Sequence, residues 1–367
     1  MFHVLLLLAC AVAIYVACEW FVNAVEWLGV RLQVGPIAVG TVLAAAGTAL
    51  PESVVTLVAV LFGSPKHGND IAVGAAMGGP LVVGTVAYGV TGAMLIWRKR
   101  RLRSAAASTP SYGAADGVVR GRADGEATDG GSLALATRES GSDLAGVDTA
   151  RLGRDQRWFL AIFAVKVGLG LVAFSIKPWL GWLFFAVYVL YFLREVRDTG
   201  EQASDEGLEP LKLQRYRARP STLAVTAQTL ISLVVIFGAS QLFVQQLEWA
   251  GPALGLPSAV VALLLSPIAT ELPEIMNAII WVRQGKLQLA LANISGAMMI
   301  QATVPSGIGI LLTSWRFDTP LIVAGAATMA SVLYLLWVLR AGRLTAGRLA
   351  AASGFYLAFA VGLVVTL

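Results

Sequence analysis

Apolar residues in this chain run in long unbroken stretches, with the charged residues gathered between them. Stretches of about 18 residues or more are long enough to cross a bilayer as helices. About ten spans can be bounded: 2–27, 34–62, 71–97, 158–176 and 179–193 in the first half, then 222–249, 257–282, 289–313, 320–339 and 346–367 in the second. Trp97, Trp158, Trp179, Trp249, Trp281, Trp315 and Trp337 fall at or near these ends, where an aromatic belt belongs. The pattern predicts an all-α membrane protein. Residues 1–195 form one five-helix unit, 196–220 a charged linker, and 221–367 a second five-helix unit.

Composition removes the soluble alternative. The chain is 57% hydrophobic and 13% charged, against about 25% charged in soluble domains. Cys10 and Cys18 share one predicted helix and cannot bridge each other there, so no disulfide framework is expected. The first thirteen residues resemble a signal peptide, but no positive charge leads into their apolar stretch, and Cys18-Glu19-Trp20 continues into a segment that the second half repeats, so a retained first span is expected. Between the third and fourth spans, residues 104–155 are rich in Gly, Ala, Ser and Asp, which predicts a disordered loop.

Charge sets an expected orientation. Arg31, the run Arg98 to Arg101, Arg103, Arg151 to Arg157, Arg194, Lys212 to Arg219, Arg283, Lys286, Arg340, Arg343 and Arg348 occupy one set of alternate loops. The opposite loops carry Lys66, Lys177 and Arg316. The positive-inside rule puts the long loop and the linker in the cytoplasm and both termini outside, in a multi-pass protein of the plasma (cell) membrane. A cytoplasmic membrane face accounts for the net charge of +5, so no nucleic-acid partner is expected. Five spans per half is odd, so the second unit enters the membrane inverted.

The halves also match in sequence. Thr48-Ala49-Leu50-Pro51-Glu52 aligns with Thr270-Glu271-Leu272-Pro273-Glu274, a displacement of 222 positions. The same displacement lays Phe21-Val22 on Phe243-Val244, Glu26-Trp27 on Glu248-Trp249, and Gly29 on Gly251. After a shift of about four residues, Thr85-Val86 meets Thr303-Val304 and Gly89 meets Gly307. A duplicated, helix-breaking element in a membrane chain points to a transporter whose site lies between the halves.

The motif supplies oxygen. Proline inside a helix cannot donate to the carbonyl four residues earlier, so Pro51 is expected to free the carbonyl of Gly47 and Pro273 that of Ala269. Broken backbone survives at membrane depth only where it lines protein or a wet cavity. Thr48 and Glu52, like Thr270 and Glu274, are four apart and share a helix face. Two carboxylates, two hydroxyls and spare carbonyls make an all-oxygen, doubly negative set suited to a hard divalent cation. Acids at the centre of a span cost about 2.5–3.5 kcal/mol on insertion scales, so Glu52 and Glu274 need a function or a partner.

Residues Gly40 to Gly89 and Ala262 to Gly307 resemble the paired alpha repeats of the calcium/cation antiporter superfamily, which includes the sodium/calcium exchangers. The first copy reads Gly47-Thr48-Ala49-Leu50-Pro51-Glu52, followed by Asp70 to Gly79; the second reads Ala269 to Glu274, followed by Leu289 to Ala297. The resemblance implies ten helices in inverted halves, alternating access, and Glu52 and Glu274 as central cation ligands. Asn293 keeps a polar family position that Ala75 loses, and a family serine is replaced by Ala49 in one copy and Glu271 in the other. In sodium/calcium exchangers those positions help build sodium sites, so sodium coupling is weakened here. Glu271 adds a third carboxylate one turn from Glu274; two acids that close do not both ionise readily, which favours a proton as counter-ion. Glu271 on a solvated rim, or paired to a base, is the bland alternative.

The expected function is secondary antiport of a cation, calcium foremost, against sodium or protons. The chain is expected to be no enzyme and to use no cofactor beyond the transported Ca2+, Na+ or H+; its partners are small inorganic cations and the lipid bilayer. A sensor or scaffold of the same fold is the alternative, and an intramembrane acid/base enzyme a weaker one, because no histidine cluster or serine dyad accompanies the glutamates. Ser266, Asn277, Ser295 and Gln301 are lesser candidates, since small polar residues also join membrane helices. Lys166 is expected to snorkel to the nearby interface. His3 and His67 are the two histidines and lie at span ends, which disfavours a histidine-zinc site.

Overall fold

The computed structural model describes residues 2–35, 38–62, 67–108, 146–172, 176–197, 208–253, 264, 267 and 270–366. Among them every regular element is helical. The helices are α1 (Phe2–Leu32), α2 (Ala45–Phe62), α3 (His67–Val82), α4 (Tyr88–Ser108), α5 (Thr149–Leu171), α6 (Gly181–Arg197), α7 (Thr222–Ala253), α8 (Leu272–Arg283), α9 (Leu287–Leu312), α10 (Thr319–Arg340), α11 (Ala346–Ala351) and α12 (Ser353–Thr366). A π-helical turn, Val39–Ala44, runs into α2, and another, Val83–Ala87, joins α3 to α4.

Seven described helical stretches are long and apolar enough to cross a membrane. The spans expected at 34–62, 158–176 and 257–282 are outside that set. The helix over the first offers a short apolar piece, Val39–Ala49. The second belongs to α5, which begins earlier, at Thr149, with Arg151, Arg154, Asp155 and Arg157 in its first turns. Of the third, residues 257–263, 265, 266, 268 and 269 lie outside the described residues.

The apolar surface faces outward as in lipid. Leu223 is 81% exposed and Trp179 69%, with Leu230, Val234, Leu357 and Val361 also exposed. Such a surface is unfavourable in water at about 25 cal/mol per Å2 and stable in hydrocarbon. α9 is the central helix: 83% of its apolar window is buried, against 22% for the stretch that contains α6. It packs on α2, α3, α5, α6 and α8, while α1 lies along α7, its counterpart in the repeat.

Several expectations are corrected. The proposed loop 104–155 is too wide at both ends: α4 continues to Ser108, and α5 opens where the Asp148 side chain accepts a hydrogen bond from the Arg151 amide at 2.9 Å. Residues 109–145 lie outside the described residues. The linker is docked at its second half, where Leu211 is buried, Trp27 donates to the Glu209 carbonyl at 2.9 Å, and Lys212 pairs with Glu19 at 3.2 Å. Trp281 and Trp315 are fully buried, not in an aromatic belt, because each indole N–H has an internal acceptor: Glu26 Oε1 at 2.9 Å and the Lys166 carbonyl at 3.1 Å. Cys10 and Cys18 are free, as their common helix requires.

Candidate cation site

The two motifs fold differently. The first, through Pro51 and Glu52, lies within α2. The second straddles a helix start: Glu271 caps α8 at φ −88° and ψ 5°, Pro273 stands in the first turn, and Glu274 follows it. Proline is tolerated there because its missing N–H has no intrahelical partner to lose. Pro273 is therefore not in a helix interior, and the break falls at Glu271. The partial positive charge of a helix N-terminus favours a carboxylate in its first turn, which is where Glu274 sits.

Glu271 and Glu274 are both fully buried, which rules out a solvated rim for Glu271. The Gln301 side-chain amide donates to both Glu271 oxygens, at 2.7 and 2.6 Å. The close approach depends on two adjacent glycines of α3. A Cβ at Gly79 would stand 2.7 Å from Glu271 Oε1, and one at Gly78 would stand 2.7 Å from Pro267 Cγ. The counterpart of Gly78 in the second unit, Gly296 of α9, lies against the Thr41 backbone, where a Cβ would meet the carbonyl oxygen at 2.2 Å. Each glycine-bearing helix thus closes on the segment ahead of the other unit's motif.

The threonines are present but turned to their own backbone. Thr48 Oγ1 donates to the Ala44 carbonyl at 3.1 Å, and Thr270 Oγ1 to the Pro267 carbonyl at 3.1 Å. With the proton so engaged, each oxygen keeps lone pairs for a cation. Gly47 lies between α1 and α7, where a Cβ would meet Phe21 Cζ at 2.6 Å. Asn293 and Asn277 are fully buried, and neither amide has a hydrogen-bond partner among the described residues. A buried polar group left so costs about 1–3 kcal/mol, a cost that a bound ion or water offsets. The side chain of Glu52 and all of Ala269 and Ser266 lie outside the described residues. Among those described, no cluster of three His, Cys, Asp or Glu side chains has a metal-binding arrangement.

The main miss is Lys166. It does not snorkel: the side chain is fully buried, its ammonium donates to the Ala76 carbonyl at 2.7 Å and to Ser306 Oγ at 3.1 Å, and it sits 4.6 Å from the Phe163 ring centroid. The signal available in the sequence was Pro80, whose ring leaves the Ala76 carbonyl without its helical donor.

A second buried polar cluster lies where α5 begins. Glu195 accepts from Arg151 and from Thr41 Oγ1 at 3.2 Å, and lies 3.6 Å from Arg154. Asp155, ahead of the apolar stretch that starts at Trp158, is pushed up to about 7 by burial first and by Glu195 second, against the pull of Arg154, Arg151 and Arg194.

The pattern of the sodium/calcium exchanger protein family matches residues 2–110 and 224–365, both halves of the duplication. The chain belongs to that family. A 170-residue stretch of this exchanger-family chain is 27% identical to "Putative antiporter CaxA" of Alkalimonas amylolytica, covering 45% of the chain and 52% of that protein. The chain thus spans about half the length of this curated relative. Among solved structures, the sodium-calcium exchanger NCX_Mj soaked with 2.5 mM Na+ and 0.1 mM Ca2+ superposes with a TM-score of 0.68 at 16% identity, covering 98% of this chain and 97% of that one. The same exchanger soaked with zero Na+ and Ca2+ gives 0.65 at 16% identity, with 97% of each chain covered. At that identity the likeness shows the fold: a multi-pass helical membrane protein of the exchanger type.

Proposed function

We propose that the chain is a secondary active cation antiporter that exchanges calcium for protons by alternating access, with Glu52 and Glu274 as paired ligands near the membrane midplane. The observation that carries this reading is the buried acidic start of α8, where Glu271 and Glu274 stand together at a break in the helix. Family membership favours antiport, and the likeness to the NCX_Mj fold supports a site between two inverted units. The orphaned amide of Asn293 and the turned hydroxyls of Thr48 and Thr270 would add neutral oxygens, which suits a hard cation. Gly47 and Ala269 would contribute carbonyls. Both termini outside and residues 109–145 in the cytoplasm complete the proposed arrangement.

Protons are favoured over sodium because Ala49 and Ala75 offer no side-chain oxygen, while Glu271 beside Glu274 makes a pair that can share a proton. The test is calcium flux in proteoliposomes. One arm applies a pH gradient with sodium absent; the other applies a sodium gradient at clamped pH. Flux in the first arm is expected. Flux confined to the second would return the chain to sodium coupling, and flux in neither would favour a sensor or scaffold.

A further inference from the structure

Proline interrupts both helices that follow the motifs. In α3, Pro80 leaves the Ala76 carbonyl without a helical donor; in α9, Pro305 does the same to the Gln301 carbonyl. Such oxygens at membrane depth need a partner. One side chain of a third helix serves the first carbonyl directly and reaches the second through a serine. Lys166 of α5 donates directly to the Ala76 carbonyl at 2.7 Å and to Ser306 Oγ at 3.1 Å, and Ser306 Oγ donates onward to the Gln301 carbonyl at 3.3 Å. The Gln301 side chain in turn holds Glu271. The ammonium is fully buried, with a carbonyl, a hydroxyl and the Phe163 ring around it and, among the described residues, no carboxylate within ion-pair reach.

We infer that Lys166 is a resident cation: its ammonium occupies the junction of the two proline-broken helices in the role a bound monovalent cation would otherwise fill. Carbonyl and hydroxyl oxygens with a nearby aromatic face form an environment that a small monovalent ion and an ammonium share. A hydrogen-bond donor alone would satisfy the carbonyls; the Phe163 ring, 4.6 Å away, adds an attraction for positive charge that offsets part of the cost of burying it. Because the charge is tethered, sodium is not required there. The chain Lys166–Ser306–Gln301–Glu271 links this fixed charge to the acidic site, so Lys166 is a positioning and specificity-determining residue rather than a ligand of the transported ion.

The test uses the purified full chain and two variants, Lys166→Ala and Lys166→Gln. Melting in detergent is compared in sodium chloride and in choline chloride at equal ionic strength; this readout does not depend on which ion is carried. Wild type is expected to melt alike in both salts. Lys166→Ala should melt lower in choline and recover part of the loss in sodium. Lys166→Gln, which keeps a donor and drops the charge, should also melt lower. A Lys166→Ala protein whose melting is the same in both salts overturns the inference. If that variant yields no folded protein in either salt, Lys166→Gln decides: wild-type melting, or lowered melting that is the same in both salts, overturns the resident cation, whereas lowered melting partly restored by sodium supports it. A flux arm rests on the antiport reading: Lys166→Ala should make calcium exchange depend on sodium where wild type does not. Loss of that reading would leave the melting result standing.

Discussion

Gln301 and Glu271, thirty positions apart and on different helices, are joined by two hydrogen bonds from one amide nitrogen, at 2.7 and 2.6 Å. The pair fixes an acid at a helix break between α3, α8 and α9. Its neighbour Glu274 is one turn further into α8. Both residues belong to the second half of the chain, and the first half closes on the acid through Gly79, where a Cβ would stand 2.7 Å from Glu271 Oε1.

Glu274→Gln and Glu52→Gln are each expected to abolish cation flux while leaving the protein folded and inserted. A divalent cation loses a unit of balancing charge in either variant. Flux near wild type in proteoliposomes, from protein with unchanged melting, would remove the two-carboxylate site.

Glu271→Ser removes the acid that would share a proton with Glu274. Calcium flux should then vary less with pH than in wild type, measured over the same range with sodium absent. An unchanged pH profile would deprive Glu271 of any coupling role.

Two glycines should differ in a stated order. Gly296→Ala puts a Cβ 2.2 Å from the Thr41 carbonyl oxygen, which is backbone, while Gly79→Ala puts one 2.7 Å from a side-chain oxygen of Glu271. Overpacking of this kind costs about 1–3 kcal/mol, and backbone cannot swing aside, so Gly296→Ala should destabilise more. Thermal melting of the two purified variants checks the order; the reverse ranking would refute the packing account.

Asp155 should make stability fall as pH rises. Its carboxyl is pushed up to about 7, first by burial and then by Glu195, so between about pH 4 and 7 the folded state holds a proton that the unfolded state has lost. Its contribution is therefore most favourable at the acid end and is lost as pH climbs through about 7. Arg151, Arg154 and Arg194 oppose the shift, and Tyr191 is buried in the same cluster. Asp155→Asn should flatten the decline in melting temperature between about pH 4 and 7. An identical decline in the variant would assign it to other groups.

Deleting most of residues 111–145 should leave cation exchange close to wild type, since neither copy of the motif includes them. The cut stays ahead of Asp148, whose backbone N–H donates to Gln288 Oε1 at 2.9 Å and whose side chain caps α5. Loss of flux in a folded deletion protein would show that the segment takes part directly.

Hydropathy, the Thr-x-Leu-Pro-Glu duplication and the clustering of arginine and lysine needed no coordinates. Each is a property of composition or spacing, and a bilayer reads both through length and charge. The helical membrane class, the matched halves, and Glu271 and Glu274 as candidates were legible in this way. Tertiary structure decided what depends on distant partners. Its place near one end of an expected span put Lys166 close to an interface, yet its ammonium is spent inside on the Ala76 carbonyl that Pro80 leaves open. Trp281 looked like a belt residue until Glu26 of α1 supplied its acceptor. The second motif read as a kinked helix, and the chain instead starts a new helix at Leu272. In each case the outcome turned on a hydrogen-bond partner tens to hundreds of positions away or on a backbone choice among near-equal conformations, and neither is written in local sequence.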